Sequence, residues 1–185
     1  MKKTNSVRCL TEGAMCVALS IALSYAKIPI GLAFGGFGGS IDLVMIPLIV
    51  FAVRRGLGWG LGAGLVFGTI KYFIGAHSDI SWVSIIFDYS VAYMFVGFAG
   101  VLYKKTKLLP VAALIGCAAR FIVHYISGVT VYAQWMPEEF MGVTKLTPAL
   151  YSLLYNGTYM LPNTILAVAI CALLIKPMEK IKTEW

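Results

Sequence analysis

Charge is what this chain lacks. Only 12% of its 185 residues are Asp, Glu, Lys or Arg, with 8 acidic residues and 2 histidines in all, against about 25% charged in an average soluble domain. Disorder is excluded, because it needs low hydrophobicity and high net charge. A soluble globule is excluded as well: 59% of the residues are hydrophobic and the mean hydropathy is +0.84, more apolar surface than a 20.1 kDa core can hide. The signatures of common chemistries are also missing. No GxxxxGK[ST] loop is present, so the chain does not hydrolyse ATP by that route. No GxSxG, HExxH or clustered acidic motif supports ester, zinc or metal-dependent transfer chemistry. The 4 cysteines, Cys9, Cys16, Cys117 and Cys171, lie in or beside apolar stretches and form no CxxC pair, which leaves zinc, redox and disulfide roles unsupported. Neither a metal nor a cofactor is expected, and an enzymatic function has no motif behind it.

What the chain does have is hydrophobic length. Apolar runs cover about residues 7–26, 41–53, 57–75, 82–103, 108–131 and 148–175. At roughly 20 residues per crossing, six spans use about 120 residues and leave only short connections. The expected fold is therefore an all-α integral membrane protein, a compact bundle of six transmembrane helices forming a single transmembrane domain over residues 1–185. The second run is short for a crossing. Either part of the preceding Gly-rich stretch, 31–39 with Phe34 and Phe37 embedded, dips into the bilayer, or the helix sits tilted and buried.

The net charge of +7 is consistent in sign with a nucleic-acid partner, but the positions of the cations point elsewhere. Of 15 basic residues, 11 fall in groups that abut hydrophobic runs: Lys2, Lys3 and Arg8; Arg54 and Arg55; Lys104, Lys105 and Lys107; Lys176, Lys180 and Lys182. These groups occupy alternate connections, the positive-inside pattern of a bacterial plasma-membrane protein with both termini in the cytoplasm. The first run, with basic residues ahead of it and Ser24-Tyr25-Ala26 at its end, also resembles a signal peptide. The alternation holds only if that segment is retained.

Two stripes of small residues repeat at helical spacing: Ala14, Ala18, Ala22 and Ala26 in the first run, Gly56, Gly60, Gly64 and Gly68 in the third. Small-xxx-small faces let helix backbones approach closely in lipid. Each stripe is read either as packing within the chain or as a dock for a separate membrane protein, the alanine stripe being the better placed for docking.

Ionisable groups inside a membrane are costly and mark function. Of the remaining cations, Lys27 and Lys145 belong to outer loops, Lys71 lies near the outer end of the third run and is expected to snorkel, and Arg120 sits in the middle of the fifth. Asp88 lies about six residues, or about 9 Å, from the outer end of the fourth run. Arg120 and His124 stack one turn apart on the face that carries Gly116 and Gly128, at a depth Asp88 shares. The sixth run adds Tyr151, Tyr155 and Tyr159 with Asn156 and Asn163 on adjoining positions. A polar, aromatic pocket open to the outside is expected where these three segments converge. The alternatives are a structural Asp88–Arg120 ion pair, a satisfied interior histidine, an aromatic belt and interhelical asparagine glue. The loop 130–147, with Tyr132, Gln134, Trp135, Pro137, Glu138 and Glu139, can lid such a pocket together with Phe34 and Phe37, enclosing a flat or cationic ligand. His77 and Asp79 make at most a weak pair.

These residues carry a resemblance. Leu10-Thr11-Glu12, the stripe beginning Ala14-xxx-Ala18, and Ile46-Pro47 followed by Arg54-Arg55-Gly56 resemble the substrate-binding S components of energy-coupling factor (ECF) vitamin transporters. Asp88-Tyr89, Arg120-xxx-His124-xxx-Gly128 and Tyr151-Ser152-Leu153-xx-Asn156-Gly157 resemble the thiamine-specific branch. The resemblance implies a six-helix fold with a high-affinity thiamine site near the extracellular side, and no catalysis. It also implies partnership with a transmembrane coupling protein and two cytoplasmic ATPase subunits. By the same resemblance Asp88, Tyr151 and Asn156 bind the aminopyrimidine, Tyr132 and His124 flank the thiazolium, Tyr89 and Arg120 match further site positions, and Ala14, Ala18 and Ala22 dock the coupling protein. The chain departs from the family pattern in having Asp88 for Glu, Arg120 for Lys and Tyr132 for Trp, and Trp135 stands near enough in sequence to replace the lost ring. An S component for hydroxymethylpyrimidine or riboflavin, or a small membrane enzyme using Asp88, Arg120 and His124, are the other readings.

Overall fold

The computed structural model describes residues 6–30, 38–75 and 82–181. Lys2, Lys3, Phe34, Phe37, His77, Asp79 and Lys182, named above, lie outside the described residues.

Among the described residues four helices are long and apolar enough to cross a membrane: α1 (Ser6–Leu23), α3 (Leu57–Ile74), α6 (Leu109–Thr130) with the 3-10 turn Thr106–Leu108 ahead of it, and α7 (Pro148–Lys180). The short α2 (Met45–Arg55) and a composite fourth segment complete a bundle of six. α2 is apolar on all sides and correspondingly buried, with Met45, Ile46, Leu48, Ile49, Phe51, Ala52 and Val53 in the core. Eleven residues rise about 16 Å, half a hydrocarbon core, and all of α2 except Val50, Arg54 and Arg55 is buried within the protein. It is entered through a hairpin of two antiparallel strands of two residues each, β1 (Ile28–Pro29) with β2 (Ser40–Ile41), a small departure from the all-α expectation.

Gly56 joins α2 to α3 without a linker. Its φ of +92° lies where side chains are disfavoured, and its N–H still closes α2 on the Ala52 carbonyl at 2.7 Å. The rest of the glycine stripe packs within the chain. Gly60, Gly64 and Gly68 press against the backbone at Gly97, Tyr93 and Tyr89 of the fourth segment, and Gly97 returns the contact at Gly60. The alanine stripe behaves oppositely: α1 buries Cys9, Gly13, Val17 and Ser20 and leaves Ala14, Ala18 and Ala22 exposed.

The fourth segment is irregular, running through α4 (Trp82–Ser84), a π-helical stretch (Ile85–Val91), α5 (Ala92–Val96) and a 3-10 stretch (Gly97–Leu102). Uniform helix was expected there. Small residues facing α3 and α6 bring the backbones close enough that local winding yields to packing. α7 continues through Lys180, beyond the expected end at 175, and its 33 residues rise about 50 Å, well past a bilayer core of about 30 Å.

α7 also holds the hairpin in place. Asn163 is buried, accepts the Asp42 N–H at 2.8 Å and donates to the Ser40 carbonyl at 2.8 Å. Asn163→Leu is expected to strand both backbone groups and to cost about 1–3 kcal/mol for each group left unsatisfied, seen as a lower thermal midpoint of the purified protein.

Candidate ligand-binding site

Between the hairpin, α3, the fourth segment, α6 and α7 lies a cavity of about 450 Å³, within the range of small-molecule sites. Asp88 and Tyr89 reach it from the π-helical stretch, Arg120, His124 and Gly128 from α6, and Tyr151, Ser152, Tyr155, Asn156 and Tyr159 from α7. A π-turn carries an extra residue, a geometry that recurs at functional sites.

The centre of the wall is a chain of hydrogen bonds. Arg120 Nε donates to His124 Nε2 at 3.3 Å, so the imidazole proton lies on Nδ1 and is donated to Asp88 Oδ1 at 3.2 Å. Ser127 Oγ donates to Asp88 Oδ2 at 3.0 Å. Asp88 is thus held as an acceptor by two donors, with lone pairs left for a ligand. His124 bridges Asp88 and Arg120 in place of a direct ion pair between them. The Arg120 guanidinium lies 4.0 Å from the Tyr93 ring centre, a cation–π contact that offsets part of its burial, while its Nη1 is buried with no hydrogen-bond partner.

Lys71 does not snorkel. It turns inward, donates to Tyr93 Oη at 2.6 Å and pairs with Asp42 at 3.5 Å. Lys71 and Tyr93 line the cavity and Asp42 supports them. None of the three was singled out for the site from sequence, although Asp42 was an intramembrane carboxylate with no assigned partner, the signal that points to it.

Aromatic rings form the opposite wall. Tyr151 and Tyr155 stack with centres 5.7 Å apart, Tyr159 stands edge-on to Tyr155 at 6.1 Å and to His124 at 6.0 Å, and Phe140 packs on Tyr151 at 5.3 Å. Tyr155 donates its hydroxyl to the Gly38 carbonyl. Phe140, buried in the loop before α7, was not anticipated either. Asn156 donates to the His124 carbonyl of α6 at 3.3 Å, one bond that ties α6 to α7, and within α7 it donates to the Ser152 carbonyl at 2.9 Å and accepts from Tyr159 Oη at 2.5 Å. Gly128 lies against Ser152, where a methyl group would collide with the hydroxyl. Tyr132 lines the cavity. Trp135 is not among its lining residues and packs on Tyr132 with ring centres 5.9 Å apart. Among the described residues no His/Cys/Asp/Glu cluster has metal-binding geometry.

A small polytopic membrane bundle enclosing a single-molecule cavity of carboxylate, cations and stacked rings is the framework of a membrane binding and transport protein. The sequence matches the family described as thiamine transporter protein (Thia_YuaJ) over residues 10–183. It is 30% identical over 162 residues to thiamine transporter ThiT of Bacillus subtilis (strain 168), covering 80% of this chain and 81% of the relative. It is 26% identical over 191 residues to thiamine transporter ThiT of Lacticaseibacillus paracasei, covering 95% and 90%. The fold superimposes on the solved structure of ThiT from Listeria monocytogenes with a TM-score of 0.81 and 26% identity, over 97% of this chain and 99% of that one. The chain belongs to the thiamine transporter family. It is a multi-pass bacterial plasma-membrane protein whose family function is transport, not catalysis.

Proposed function

We propose that the chain is the thiamine-binding S component of an ECF importer: it captures thiamine outside the cell and delivers it inward when docked to a transmembrane coupling protein driven by two cytoplasmic ATPase subunits. The observation that carries the ligand reading is the Asp88 carboxylate, oriented by His124 and Ser127 in a cavity of stacked tyrosines. Asp88, with Tyr151 and Asn156, accepts and donates the hydrogen bonds of the aminopyrimidine. His124 and Tyr132 enclose the thiazolium, Trp135 backing Tyr132, while Tyr89, Arg120 and Gly128 complete the wall. A desolvated site of this kind rejects analogues that leave its polar groups unpaired. No cofactor takes part. The termini are cytoplasmic in this reading, which puts Arg54, Arg55, Lys104, Lys105 and Lys107 on the inner side.

Calorimetry of the purified chain tests the ligand: saturable thiamine binding at one site is expected, and its absence overturns the assignment. The partner reading rests on the exposed alanine face of α1 and on the lack of a phosphate-binding loop in the chain. Ala14→Trp and Ala18→Trp are expected to abolish uptake in cells while thiamine binding by the purified protein is retained. Loss of both together would make the stripe a structural element.

A further inference from the structure

The polar groups of the cavity fall into two layers. Arg120 lies four residues before His124 on α6, and Tyr93 five residues after Asp88 on the fourth segment, so each stands about 6–7 Å further from the loop that precedes α7. The contacts of His124 with Asp88 and of Arg120 with Tyr93 set the layers one above the other. The upper layer is Asp88 with its two donors. The lower one is built on the Tyr93 ring, 2% exposed and braced edge-on by Phe67 at 4.7 Å. That ring carries two cations, the Arg120 guanidinium at 4.0 Å and the Lys71 ammonium at 5.0 Å from its centre.

In the lower layer donors outnumber the acceptors that take them. Of the three hydrogens on Lys71 Nζ, one goes to Tyr93 Oη at 2.6 Å and one to Asp42 Oδ2 at 3.5 Å, and among the described residues the third meets no acceptor. Tyr93 Oη accepts from Lys71 and keeps its own hydrogen. Arg120 is 6% exposed, and its Nη1 bonds to nothing. Asp42 does not line the cavity, and it also receives Ser40 Oγ at 3.1 Å and the Val44 N–H at 3.3 Å. Buried donors without partners are costly, so such a set in a cavity wall points to an acceptor on the ligand.

We infer that Tyr93 and Lys71 determine which ring of the ligand enters the lower layer: Tyr93 Oη donates to a ring nitrogen of the aminopyrimidine, Lys71 polarises that hydroxyl, and Asp42 positions Lys71. The inference rests on the thiamine reading above. An aminopyrimidine carries a donor, its amine, beside ring-nitrogen acceptors, and the two layers answer them in that order, the Asp88 carboxylate and then the donors. A lysine hydrogen on Tyr93 Oη strengthens the hydroxyl as a donor. The thiazolium is a cation. Two cations against one carboxylate in the lower layer repel it, which leaves it on the side of His124 and Tyr132.

The test is calorimetry of the full chain with thiamine and with its two pyridine analogues, in each of which one pyrimidine nitrogen is replaced by CH. Tyr93→Phe keeps the ring beneath Arg120 and against Phe67 and removes only the hydroxyl. It is expected to weaken thiamine about tenfold. One pyridine analogue is expected to bind the unaltered chain about tenfold more weakly than thiamine and to lose nothing further in Tyr93→Phe. The double variant Lys71→Met, Asp42→Asn leaves no buried charge without its partner; about threefold loss is expected for thiamine and none for that analogue. Unchanged thiamine affinity in Tyr93→Phe, or an equal loss for thiamine and both analogues, makes Tyr93 a structural residue and overturns the inference while the thiamine reading stands. An unaltered chain that binds none of the three ligands overturns the thiamine reading and this inference with it.

Discussion

Asp88→Ala is expected to weaken thiamine binding by roughly thirtyfold to several thousandfold, the equivalent of about 2–5 kcal/mol for removing one partner of a desolvated charged contact. The loss has two sources. The ligand's donors lose their acceptor, and inside the protein the Nδ1–H of His124 and the hydroxyl of Ser127 lose theirs, since both end on this carboxylate at 3.2 and 3.0 Å. Asp88→Asn keeps the shape and removes the charge, so a smaller loss there separates charge from packing. Calorimetry or tryptophan fluorescence reads both variants, with circular dichroism to confirm retained helix. Unchanged affinity in Asp88→Ala would take Asp88 out of the site.

The second large effect is on stability, and it reverses sign around one helix. Gly64→Ala sets a methyl group against the Tyr93 carbonyl, and Gly68→Ala sets one against the Tyr89 carbonyl. Neither neighbour is the end of a flexible side chain, so the fourth segment must move, at about 1–3 kcal/mol or more for each substitution. Because Asp88, Tyr89 and Tyr93 ride on that segment, ligand affinity is expected to fall with the thermal midpoint. Gly58→Ala, on the open side of the same helix, meets nothing and gains up to about 1 kcal/mol of helix propensity. Thermal unfolding of the three variants in one detergent checks this, and equal midpoints would show that the α3 contact does not govern stability.

That contrast marks where sequence reading stops. Spacing alone makes the glycine stripe of α3 and the alanine stripe of α1 equivalent, since both repeat every fourth residue. The glycines are buried against backbone, while Ala14, Ala18 and Ala22 face outward. The site shows the same division. Convergence of Asp88, Arg120, His124 and the tyrosines of α7 follows from equal depth on three helical runs, and all of them line one cavity. Which groups pair does not follow: His124 stands between Asp88 and Arg120, and Lys71 turns inward to Asp42 and Tyr93. Depth is a one-dimensional quantity that residue counting supplies. Rotation about the helix axis and the choice among several nearby partners are not.

What the sequence by itself determined is the solvent. A chain with 12% charged residues and 59% hydrophobic ones is placed in lipid by composition, because transfer free energy sums residue by residue whatever the fold. The number and order of apolar runs and the grouping of cations beside them are equally local. The tertiary structure alone decided that α2 is an interior helix, that the fourth segment winds irregularly around Asp88, and that Asn163 spans 121 residues to hold Asp42 at the cavity's edge. Each of these depends on close approach between segments distant in sequence. In lipid that approach is set by backbone packing and a few directional hydrogen bonds: a small-residue stripe shows that a close approach is available but not which segment makes it, and the hydrogen bonds leave no periodic trace along the chain.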